Sequence, residues 1–213
     1  MVTSVPAAQQ IYEATKEQIL SGELGGGTLL SEAEVARRFQ ASRTPTREAF
    51  VRLEAEGLLA LLPRRGAVVA SMSMSEAHDL LEVREALEVA AARRLVRRSD
   101  HEERLASARR ELAIQAKHAS EHEVELFARS DQRFHQAIVD AGGNALASGF
   151  YVTLGDRQRL MTIGAVGAEL GKLNHLLAQH RQLLGYIEGR DADGFARALR
   201  LHLESTHGVH LGR

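Results

Sequence analysis

The part of this chain that most limits its fold is residues 31–53, which read SEAEVARRFQASRTPTREAFVRL. Ser31 followed by Glu34 forms a capping-box pattern, in which each side chain accepts a backbone N–H at the start of a helix. After a short connection, Thr44 is predicted to cap a second helix, with Pro45 at its first position, where the missing N–H has no consequence. The stretch therefore predicts two short helices joined by a tight turn.

The second of these helices has an apolar side and a basic side. At about 3.6 residues per turn, Ala49, Phe50 and Leu53 fall within an arc of about 100°. Arg47 and Arg52 lie outside that arc. The apolar arc predicts packing against other helices, and it leaves Arg47 facing solvent or a ligand.

Positive charge is concentrated in this stretch and is not spread over the chain. The formal net charge at pH 7 is −1, which argues against a protein that coats nucleic acid through bulk positive charge. Within residues 37–52 the only acidic residue is Glu48, and the basic residues are Arg37, Arg38, Arg43, Arg47 and Arg52. A basic helix start suits phosphates and base edges, so duplex DNA is the favoured ligand. The alternative is a small helical domain whose arginines are merely solvated.

The flanking segments complete a winged-helix pattern. Residues 11–20 predict an amphipathic helix, and the apolar runs 58–62 and 67–70 predict a hairpin around Pro63-Arg64-Arg65-Gly66. In a winged helix-turn-helix, the second helix of the pair enters the major groove. The basic tip of the hairpin, which includes Arg65, would lie along the DNA backbone or in the minor groove.

Residues 9–70 resemble the N-terminal domain of the GntR family of bacterial transcription regulators. The resemblance rests on LSEAEVARRFQASRTPTREAFVRLEAEGLL followed by PRRGAVVA, in which the SRTPxREA segment, the GLL exit and the RRG wing occur in order. It implies that the following residues contact operator DNA: Arg43, Thr44, Thr46, Arg47 and the wing glycine Gly66. The family often has a DNA-contacting arginine where this chain has Ala33, which leaves the operator sequence open.

The length and composition of the chain suit two mainly helical domains. A length of 213 residues exceeds one average domain, and the polar and methionine-rich residues 71–75 mark a boundary. We expect a DNA-binding domain at 1–71 and an effector domain at 72–213. Aromatic residues make up only 4% of the chain, a bias that favours helices over sheets. The chain has no cysteine and no apolar run long enough to cross a bilayer, which suits a reducing cytoplasm.

Beyond the predicted boundary the pattern is helical. No strand pattern follows residue 72, and short glycine- or serine-containing breaks separate the helical segments. The predicted helices span 76–98, 101–119, 121–141, 144–162, 168–189 and 191–207. They predict an all-α antiparallel bundle. The whole chain is therefore expected to be mostly α, with a small β-hairpin in its N-terminal winged helix-turn-helix.

Three of these helices each turn a histidine toward the interior of the bundle. Asp131 and His135 are one turn apart on the apolar stripe of the 121–141 helix. His180 and His202 lie on the apolar stripes of the last two helices. Buried imidazoles and carboxylates need partners, because an unpaired buried group costs about 1–3 kcal/mol or more. A divalent metal would satisfy all four, although a single such histidine is more often a hydrogen-bonded core residue.

The donor set and a second resemblance indicate the same site. Three imidazole nitrogens and one carboxylate suit a divalent transition metal with open positions, with Zn or Ni favoured and Mn or Fe as alternatives. The segments DQRFHQAIVDAGGN and QHRQLLGYIEGRDADGFARALRLHL resemble the FCD-type effector domain of the FadR subgroup of GntR regulators. In the metal-binding members of that subgroup, the ion is held by the positions that match Asp131, His135, His180 and His202.

The sequence allows two interpretations of Arg84. Arg84 would form a helix-surface ion pair with Glu88, which contributes only ~0.3–0.5 kcal/mol. Alternatively, as the resemblance implies, it faces the cavity and binds the carboxylate of an effector.

The remaining histidines are expected at the surface or at helix caps: His78, His101, His118, His122, His175, His207 and His210.

Together these features predict a homodimeric, ligand-responsive DNA-binding regulator that is expected to act as a repressor. Its two heads would contact two half-sites of a near-palindromic operator, and a small carboxylate effector would bind the metal and Arg84. One alternative is a metal-dependent enzyme that uses the three-histidine, one-aspartate site, although no further carboxylate is placed as a general base. Another is a regulator whose metal is purely structural.

Overall fold

The protein is described by a computed structural model that covers residues 5–167, 169 and 171–211. Contacts within the chain divide it into two compact units, Met1–Met72 and Ser73–Arg213. A small three-stranded antiparallel sheet lies in the first unit. In the second unit the regular elements among the described residues are helices. The predicted mostly α fold, with an N-terminal winged helix-turn-helix and a helical region after it, is confirmed.

The first unit combines helices with three short strands. Its elements are α1 Ala7–Leu20, β1 Leu29–Leu30, α2 Glu32–Arg38, α3 Arg43–Ala55, β2 Leu59–Leu62 and β3 Gly66–Val69. The strands are ordered β1-β3-β2, and β2 and β3 form the predicted hairpin. Strand β1 is not predicted from the sequence, because two residues are too few to show the alternation that identifies a strand.

The core of the first unit is formed where α1 packs against α3. The α1 side contributes Ile11 and Ile19, which are buried. The α3 side contributes the predicted apolar arc, Ala49, Phe50 and Leu53, and each of these side chains is fully buried. Burying a Phe or Leu side chain contributes about 1.5–3 kcal/mol. The packing therefore fixes the direction in which α3 turns its basic side.

The caps of α2 and α3 differ from the prediction. Ser31 is the N-cap of α2, but its side chain makes no capping hydrogen bond, so the predicted capping box with Glu34 is wrong. The N-cap of α3 is Ser42 and not Thr44. Pro45 consequently lies at the third helical position. It is tolerated there because the N–H groups of the first turn have no partner within the helix.

The turn between β2 and β3 requires a glycine. Gly66 has a φ of +99°, a backbone conformation that residues other than glycine rarely adopt. A Cβ atom at this position would overlap the carbonyl oxygen of Leu30 in β1. The glycine of the RRG wing is therefore explained by the close approach of β1 to the hairpin.

The second unit is a helical bundle. Its helices are α4 Met74–Leu95, α5 His101–Arg104, α6 Ala106–Ser120, α7 Val124–Ala141, α8 Ala145–Val152, α9 Gly155–Val166, α10 Gly171–Glu188 and α11 Ala192–His207. Helix α7 occupies the centre and contacts α4, α6, α8 and α9. Across the described ranges, no helix has the length and hydrophobicity needed to cross a membrane.

Two predicted helices are each divided in the structure. The segment predicted as 101–119 forms α5 and α6, and the segment predicted as 144–162 forms α8 and α9. Neither break contains a proline, and at the second break α9 begins at Gly155, a residue of low helix propensity. The predicted helix start at residue 168 lies outside the described residues, and α10 is described from Gly171.

Helix α4 begins with a capping box and packs closely against the end of α7. The Ser73 hydroxyl accepts the backbone N–H of Glu76 at 3.2 Å, and the Glu76 carboxylate accepts the backbone N–H of Ser73 at 2.9 Å. Farther along, a Cβ atom at Gly142 would lie 2.8 Å from the Ala91 Cα atom. Arg94 Nε donates to the Gly142 carbonyl at 3.1 Å. Helix α4 is therefore held directly beside α7.

Candidate functional site

Four buried side chains from three helices meet inside the second unit. Helix α7 supplies Asp131 and His135, α10 supplies His180, and α11 supplies His202. None of the four residues is more than 4% exposed. One ligand atom from each residue lies within 4.8 Å of the ligand atoms of the others. The structure therefore brings together all four residues that were predicted to hold a metal.

The atoms that face one another are imidazole Nε2 nitrogens and a carboxylate oxygen. His180 Nε2 lies 3.1 Å from Asp131 Oδ1 and 3.4 Å from His202 Nε2. His135 Nε2 lies 3.8 Å from Asp131 Oδ1. This His135 nitrogen is buried and has no hydrogen-bond partner within the described part of the chain. The cluster thus contains a buried polar atom that the surrounding side chains leave unsatisfied.

Each imidazole is held from behind by a side-chain oxygen that faces its Nδ1 atom. The three pairs are His135 with Glu88 at 2.6 Å, His180 with Gln115 at 2.7 Å, and His202 with Gln179 at 2.9 Å. An acceptor at Nδ1 assigns the ring proton to that nitrogen. The Nε2 lone pairs are then left facing the centre of the cluster, as in protein metal sites whose histidines are oriented from outside.

The supporting groups are themselves oriented by hydrogen bonds. The amide nitrogens of the two glutamines donate to the Ser130 carbonyl and to the Ser205 hydroxyl, at 3.1 Å and 3.2 Å. Their amide oxygens therefore face the imidazoles as acceptors. Asp131 Oδ2 accepts the Thr162 hydroxyl at 3.0 Å. This contact leaves Asp131 Oδ1 directed at the histidines.

The environment of His180 fits a cation better than a proton. A neutral imidazole carries one ring proton, but both ring nitrogens of His180 face oxygen acceptors, on Gln115 and on Asp131. With the proton at Nδ1, the Nε2 lone pair faces a carboxylate oxygen at 3.1 Å. Two electron-rich atoms at this distance repel each other unless a cation lies between them. The residues present therefore fit a divalent transition metal.

Burial and hydrogen bonding favour the protonation states that bind metals. Burial lowers the pKa of His180 and of His202 below the ordinary value, so both rings are neutral near pH 7. Burial alone would raise the pKa of the Asp131 carboxyl, but its contact with His180 lowers it. Burial also opposes ionisation of Glu88, yet the neighbouring His135 and other charges lower its pKa to about 2. Neutral imidazoles and ionised carboxylates are the metal-binding forms.

Arg84 and Glu88 form a buried ion pair beside the cluster, so the helix-surface interpretation is wrong. Their side chains are 1% and 0% exposed, and Arg84 Nε donates to Glu88 Oε1 at 3.1 Å. The Tyr151 hydroxyl donates to the same Glu88 oxygen at 2.5 Å. Arg84 Nη2 is buried and has no hydrogen-bond partner among the described residues. Arg84 therefore keeps one charged donor unused near the cluster.

The side chains that support the four clustered residues were not predicted from the sequence. They are Glu88, Gln115, Thr162 and Gln179. Only Glu88 carries a signal, because it continues the inward stripe of α4, which contains Leu81, Arg84, Glu88, Ala91 and Leu95. A charged residue within such a stripe indicates a buried partner. The glutamines lack a comparable signal, because this residue type is also common on exposed helix faces.

Three of the seven remaining histidines are exposed as expected, and His101 is a clear exception. His101 is only 5% exposed, and its Nδ1 accepts a hydrogen bond from Arg190 Nη2 at 2.8 Å. A surface or capping role for His101 is therefore wrong. His207 is half-buried, and burial is the main cause that lowers its pKa to about 4. The exposed positions that were predicted correctly are His122, His175 and His210.

In the first unit, predicted DNA-binding residues surround a groove of about 680 Å³. Arg43 and Arg47 line it from α3, and Arg65 and Gly66 line it from the β2–β3 turn. The Arg47 side chain is 68% exposed and lies 3.3 Å from the carboxylate of Glu32. The groove therefore has basic side chains on both the helix side and the hairpin side.

Two side chains of α3, those of Thr46 and Arg52, contact other parts of the first unit and do not face the groove. Thr44 is exposed at the start of α3. Thr46, in contrast, is fully buried and donates its hydroxyl to the Ser42 carbonyl at 3.1 Å, which corrects the prediction that it contacts DNA. The guanidinium carbon of Arg52 lies 3.9 Å from the centre of the Tyr12 ring. Both residues stabilise the packing of α3 from its inner side.

Comparison with known proteins gives matches to both units. Residues 7–69 match the family model "Bacterial regulatory proteins, gntR family", and residues 79–205 match the model of the FCD domain. The HTH-type transcriptional repressor RspR of Escherichia coli (strain K12) is 32% identical to this chain. The similarity covers 93% of this chain and 86% of RspR.

Solved structures of regulators share the fold. A GntR regulator from Rhodococcus sp. RHA1 has a TM-score of 0.81 at 18% identity and covers 94% of this chain and 95% of its own. Escherichia coli McbR/YncC has a TM-score of 0.74 at 20% identity, with the same coverage of 94% and 95%. The relatives are transcription regulators, which confirms the expectation that this protein is not an enzyme. The chain belongs to the gntR family of bacterial regulatory proteins and carries an FCD domain after its DNA-binding unit.

Proposed function

We propose that the protein is a transcriptional repressor that senses a small organic acid through a metal centre in its FCD domain. The observation that carries the proposal is the convergence of three imidazole Nε2 atoms and one carboxylate oxygen inside the bundle. The repressor assignment is supported by the similarity to RspR, which is named as a repressor. Residues 1–71 are assigned to DNA binding and residues 72–213 to sensing.

The DNA-binding unit would place α3 in the major groove. Arg43, Thr44 and Arg47 lie at the exposed start of that helix, where arginine can pair with guanine edges and phosphates. Arg65 and Gly66 on the opposite side of the groove would follow the DNA backbone or minor groove. Operator DNA lies in the cytoplasm, which is therefore the proposed location of the protein.

We propose a homodimer, because two heads related by a two-fold axis would read two half-sites of one operator. A groove of about 550 Å³ runs between α4 and α11. It is lined by small side chains, including Ala86 and Ala196, and by the oppositely charged Glu82 and Arg197. A two-fold axis can pair an acidic edge of one copy with a basic edge of the other, so this surface suits self-association.

The proposed cofactor is a divalent transition metal, with Zn or Ni favoured and Mn or Fe as alternatives for this donor set. Asp131, His135, His180 and His202 would hold it, and when bound it would offer Lewis acidity and open positions to the oxygens of a ligand. Near this centre, Arg84 presents an unused Nη2 donor. A guanidinium donor next to a metal suits a carboxylate effector.

Regulation requires the effector to bind two arrangements of the dimer with different affinity. The cluster joins α7, α10 and α11, and Glu88 connects it through His135 to α4. A ligand that changes the contacts at this centre would therefore change the relative stability of arrangements of all four helices. That dependence is the proposed route from effector binding to operator release.

A purely structural metal is the second candidate. It is favoured by the presence of four protein ligands, because closed four-ligand sites are typical of structural zinc. The unused Arg84 Nη2 donor favours the sensing role instead, because a structural centre gives no reason for a buried cationic donor to lack a partner.

The test combines metal analysis with operator binding. Purified protein is analysed for bound metal by mass spectrometry, and its affinity for an operator fragment selected in vitro is measured with and without a panel of carboxylates. We expect stoichiometric metal and weaker operator binding when a carboxylate is added, with no carboxylate response after chelation. Stoichiometric metal without any carboxylate response would favour the structural candidate. Undiminished operator affinity after both Arg43→Ala and Arg47→Ala would refute the DNA-binding assignment.

A further inference from the structure

Three arginine side chains surround the glycine turn between α7 and α8. Arg94, at the end of α4, donates from Nε to the Gly142 carbonyl at 3.1 Å and from Nη2 to the Gly143 carbonyl at 3.5 Å. Arg98 and Arg104 approach the same turn from α5 and from the segment before it. A Cβ atom built on Gly143 would lie 3.8 Å from the Nη1 atom of each. The three guanidinium groups therefore form one cluster at this turn.

One carboxylate orients two of these arginines. Arg98 donates to Asp100 from Nε at 2.7 Å and from Nη2 at 3.1 Å, and Arg104 donates to it from Nε at 2.7 Å. The hydrogen bonds from Arg98 and Arg104 lower the pKa of the Asp100 carboxyl, so this group is ionised at neutral pH. Three guanidinium groups, including that of Arg94, and one carboxylate leave an excess of two positive charges among these four side chains.

The Nη1 atoms of Arg98 and Arg104 flank a spot that no side chain of the described ranges fills. Gly143 has a φ of +72°, a conformation that suits a residue without a side chain. The two Nη1 atoms have no protein acceptor in the part of the chain that the structure describes. The Arg98 and Arg104 side chains are 37% and 35% exposed. A ligand can therefore reach both donors from solvent.

We propose that this arginine cluster binds a phosphate group, carried either by inorganic phosphate or by a small phosphate ester. Guanidinium groups pair with phosphate oxygens through several N–H donors at once. Near pH 7 a phosphate monoester carries a charge of about −1.5 to −2, which matches the two excess positive charges, whereas a simple carboxylate supplies one. Asp100 and the glycine carbonyls already orient the three guanidinium groups, so little side-chain freedom is lost on binding.

This phosphate site is separate from the metal cluster. Gly143 follows His135 by eight residues, which corresponds to about 12 Å along the direction of α7 at about 1.5 Å per residue. A bound phosphate would join α5, the end of α4 and the α7–α8 turn. It would be a second ligand of the FCD domain, and its binding requires neither the metal nor the proposed carboxylate effector.

Thermal unfolding of the full-length protein, followed by circular dichroism, is the first test. Inorganic phosphate and glycerol 3-phosphate are each compared with sodium chloride at the same ionic strength, and acetate represents a monovalent anion. We expect Tm to rise by about 2–4 °C at a phosphate concentration of about ten times its Kd, and to rise less in acetate. The larger rise identifies which of the two phosphate compounds the site prefers. An unchanged Tm in both would overturn the proposal.

A substitution in the cluster then locates the response. Arg98→Gln removes one of the two Nη1 donors but keeps an amide that can donate to Asp100, so the rise in Tm should be largely lost. Arg133→Gln is the matched control, because Arg133 is an exposed arginine of α7, and it should keep the full rise. If both variants keep the rise, phosphate acts elsewhere on the protein and the proposal is wrong.

Two substitutions of Gly143 decide the question if Arg98→Gln fails to fold. Asp and Asn have nearly the same shape, and both tolerate a positive φ better than most residues. Only Gly143→Asp places a negative charge beside the two Nη1 atoms. Its Tm in chloride should be about 1–3 °C above that of Gly143→Asn, and it should no longer respond to phosphate. Equal Tm values for the two variants would contradict the proposal, because the guanidinium groups would then not act on an anion at this turn.

Discussion

The two units keep their candidate functional side chains in opposite environments. In the first unit, Arg43, Arg47 and Arg65 are exposed around a groove. In the second, Asp131 and three histidines are buried, with a further set of buried groups behind them. An exposed charge is solvated whether or not it has a partner, whereas a buried one needs every contact to be complete. Exchanges in the first unit should therefore act locally, and exchanges in the second should also disturb folding.

The two units also differ in what their ion pairs contribute. The Arg47–Glu32 pair is largely in water, so solvent weakens it and either partner can be removed at little cost. The Arg84–Glu88 pair is withdrawn from water and shares its carboxylate with His135 and Tyr151. Removing one member of such a group leaves the others buried without their partner. This contrast sets the order of the expected effects.

The largest effect is expected from Glu88→Ala. The substitution leaves the Arg84 charge and the Tyr151 hydroxyl without their acceptor, so the free energy of unfolding should fall by about 3–5 kcal/mol. Glu32→Ala in the first unit should lower it by less than about 1 kcal/mol. Denaturant unfolding of the metal-free protein, followed by circular dichroism, measures both values. Equal losses would remove the distinction between the two units.

The next effect concerns metal binding by the buried cluster. His180→Ala should weaken metal affinity by at least about 100-fold, since even groups that only orient the ligands contribute about 10–100-fold. His175→Ala is the matched control, because His175 lies on the same helix but is exposed. Competition with a chromophoric chelator measures the affinity. A comparable loss in the control variant, or none in His180→Ala, would contradict the assignment of the cluster.

A smaller effect is expected when an exposed arginine of the first unit is removed. Arg47→Ala should weaken operator binding by about 1–3 kcal/mol, the range for an arginine that contacts a base edge. Its metal affinity and stability should stay close to those of the unmodified protein. Arg181→Ala, at an exposed position of α10, is the control. Fluorescence anisotropy with a labelled operator fragment measures the affinity, and an unchanged value would exclude Arg47 from the DNA-binding surface.

The first unit could be predicted from the sequence more completely than the buried cluster of the second unit. The winged helix-turn-helix is encoded locally, by a basic helix start, an apolar arc and a wing glycine that lie close together in the chain. The burial of His135, His180 and His202 also follows from their positions on apolar stripes. Their convergence does not follow from any stripe, because periodicity gives the face of a helix and not its neighbour. The resemblance to FCD domains supplied that step.

Details that depend on contacts between distant segments could not be predicted. Gln115 lies 65 residues before His180 in the chain, yet it orients that ring. Glu88 precedes His135 by 47 residues, and pattern alone made it a surface partner of Arg84. Thr46 resembles a DNA contact in its motif but is buried by the packing of α3. In each case the deciding interaction joins elements whose arrangement is set by the tertiary fold.

The smallest effect compares the helix caps of the two units. Ser73→Ala should lower the free energy of unfolding by about 1 kcal/mol, because the Ser73 hydroxyl accepts a backbone N–H at the start of α4. Ser31→Ala should have almost no effect, because Ser31 occupies the same N-cap position of α2 without a side-chain hydrogen bond. Denaturant unfolding of both variants gives the comparison. If Ser31→Ala destabilised the protein as much as Ser73→Ala, the capping box predicted from the sequence would be present at α2 after all, and α2 and α4 would not differ in how they begin.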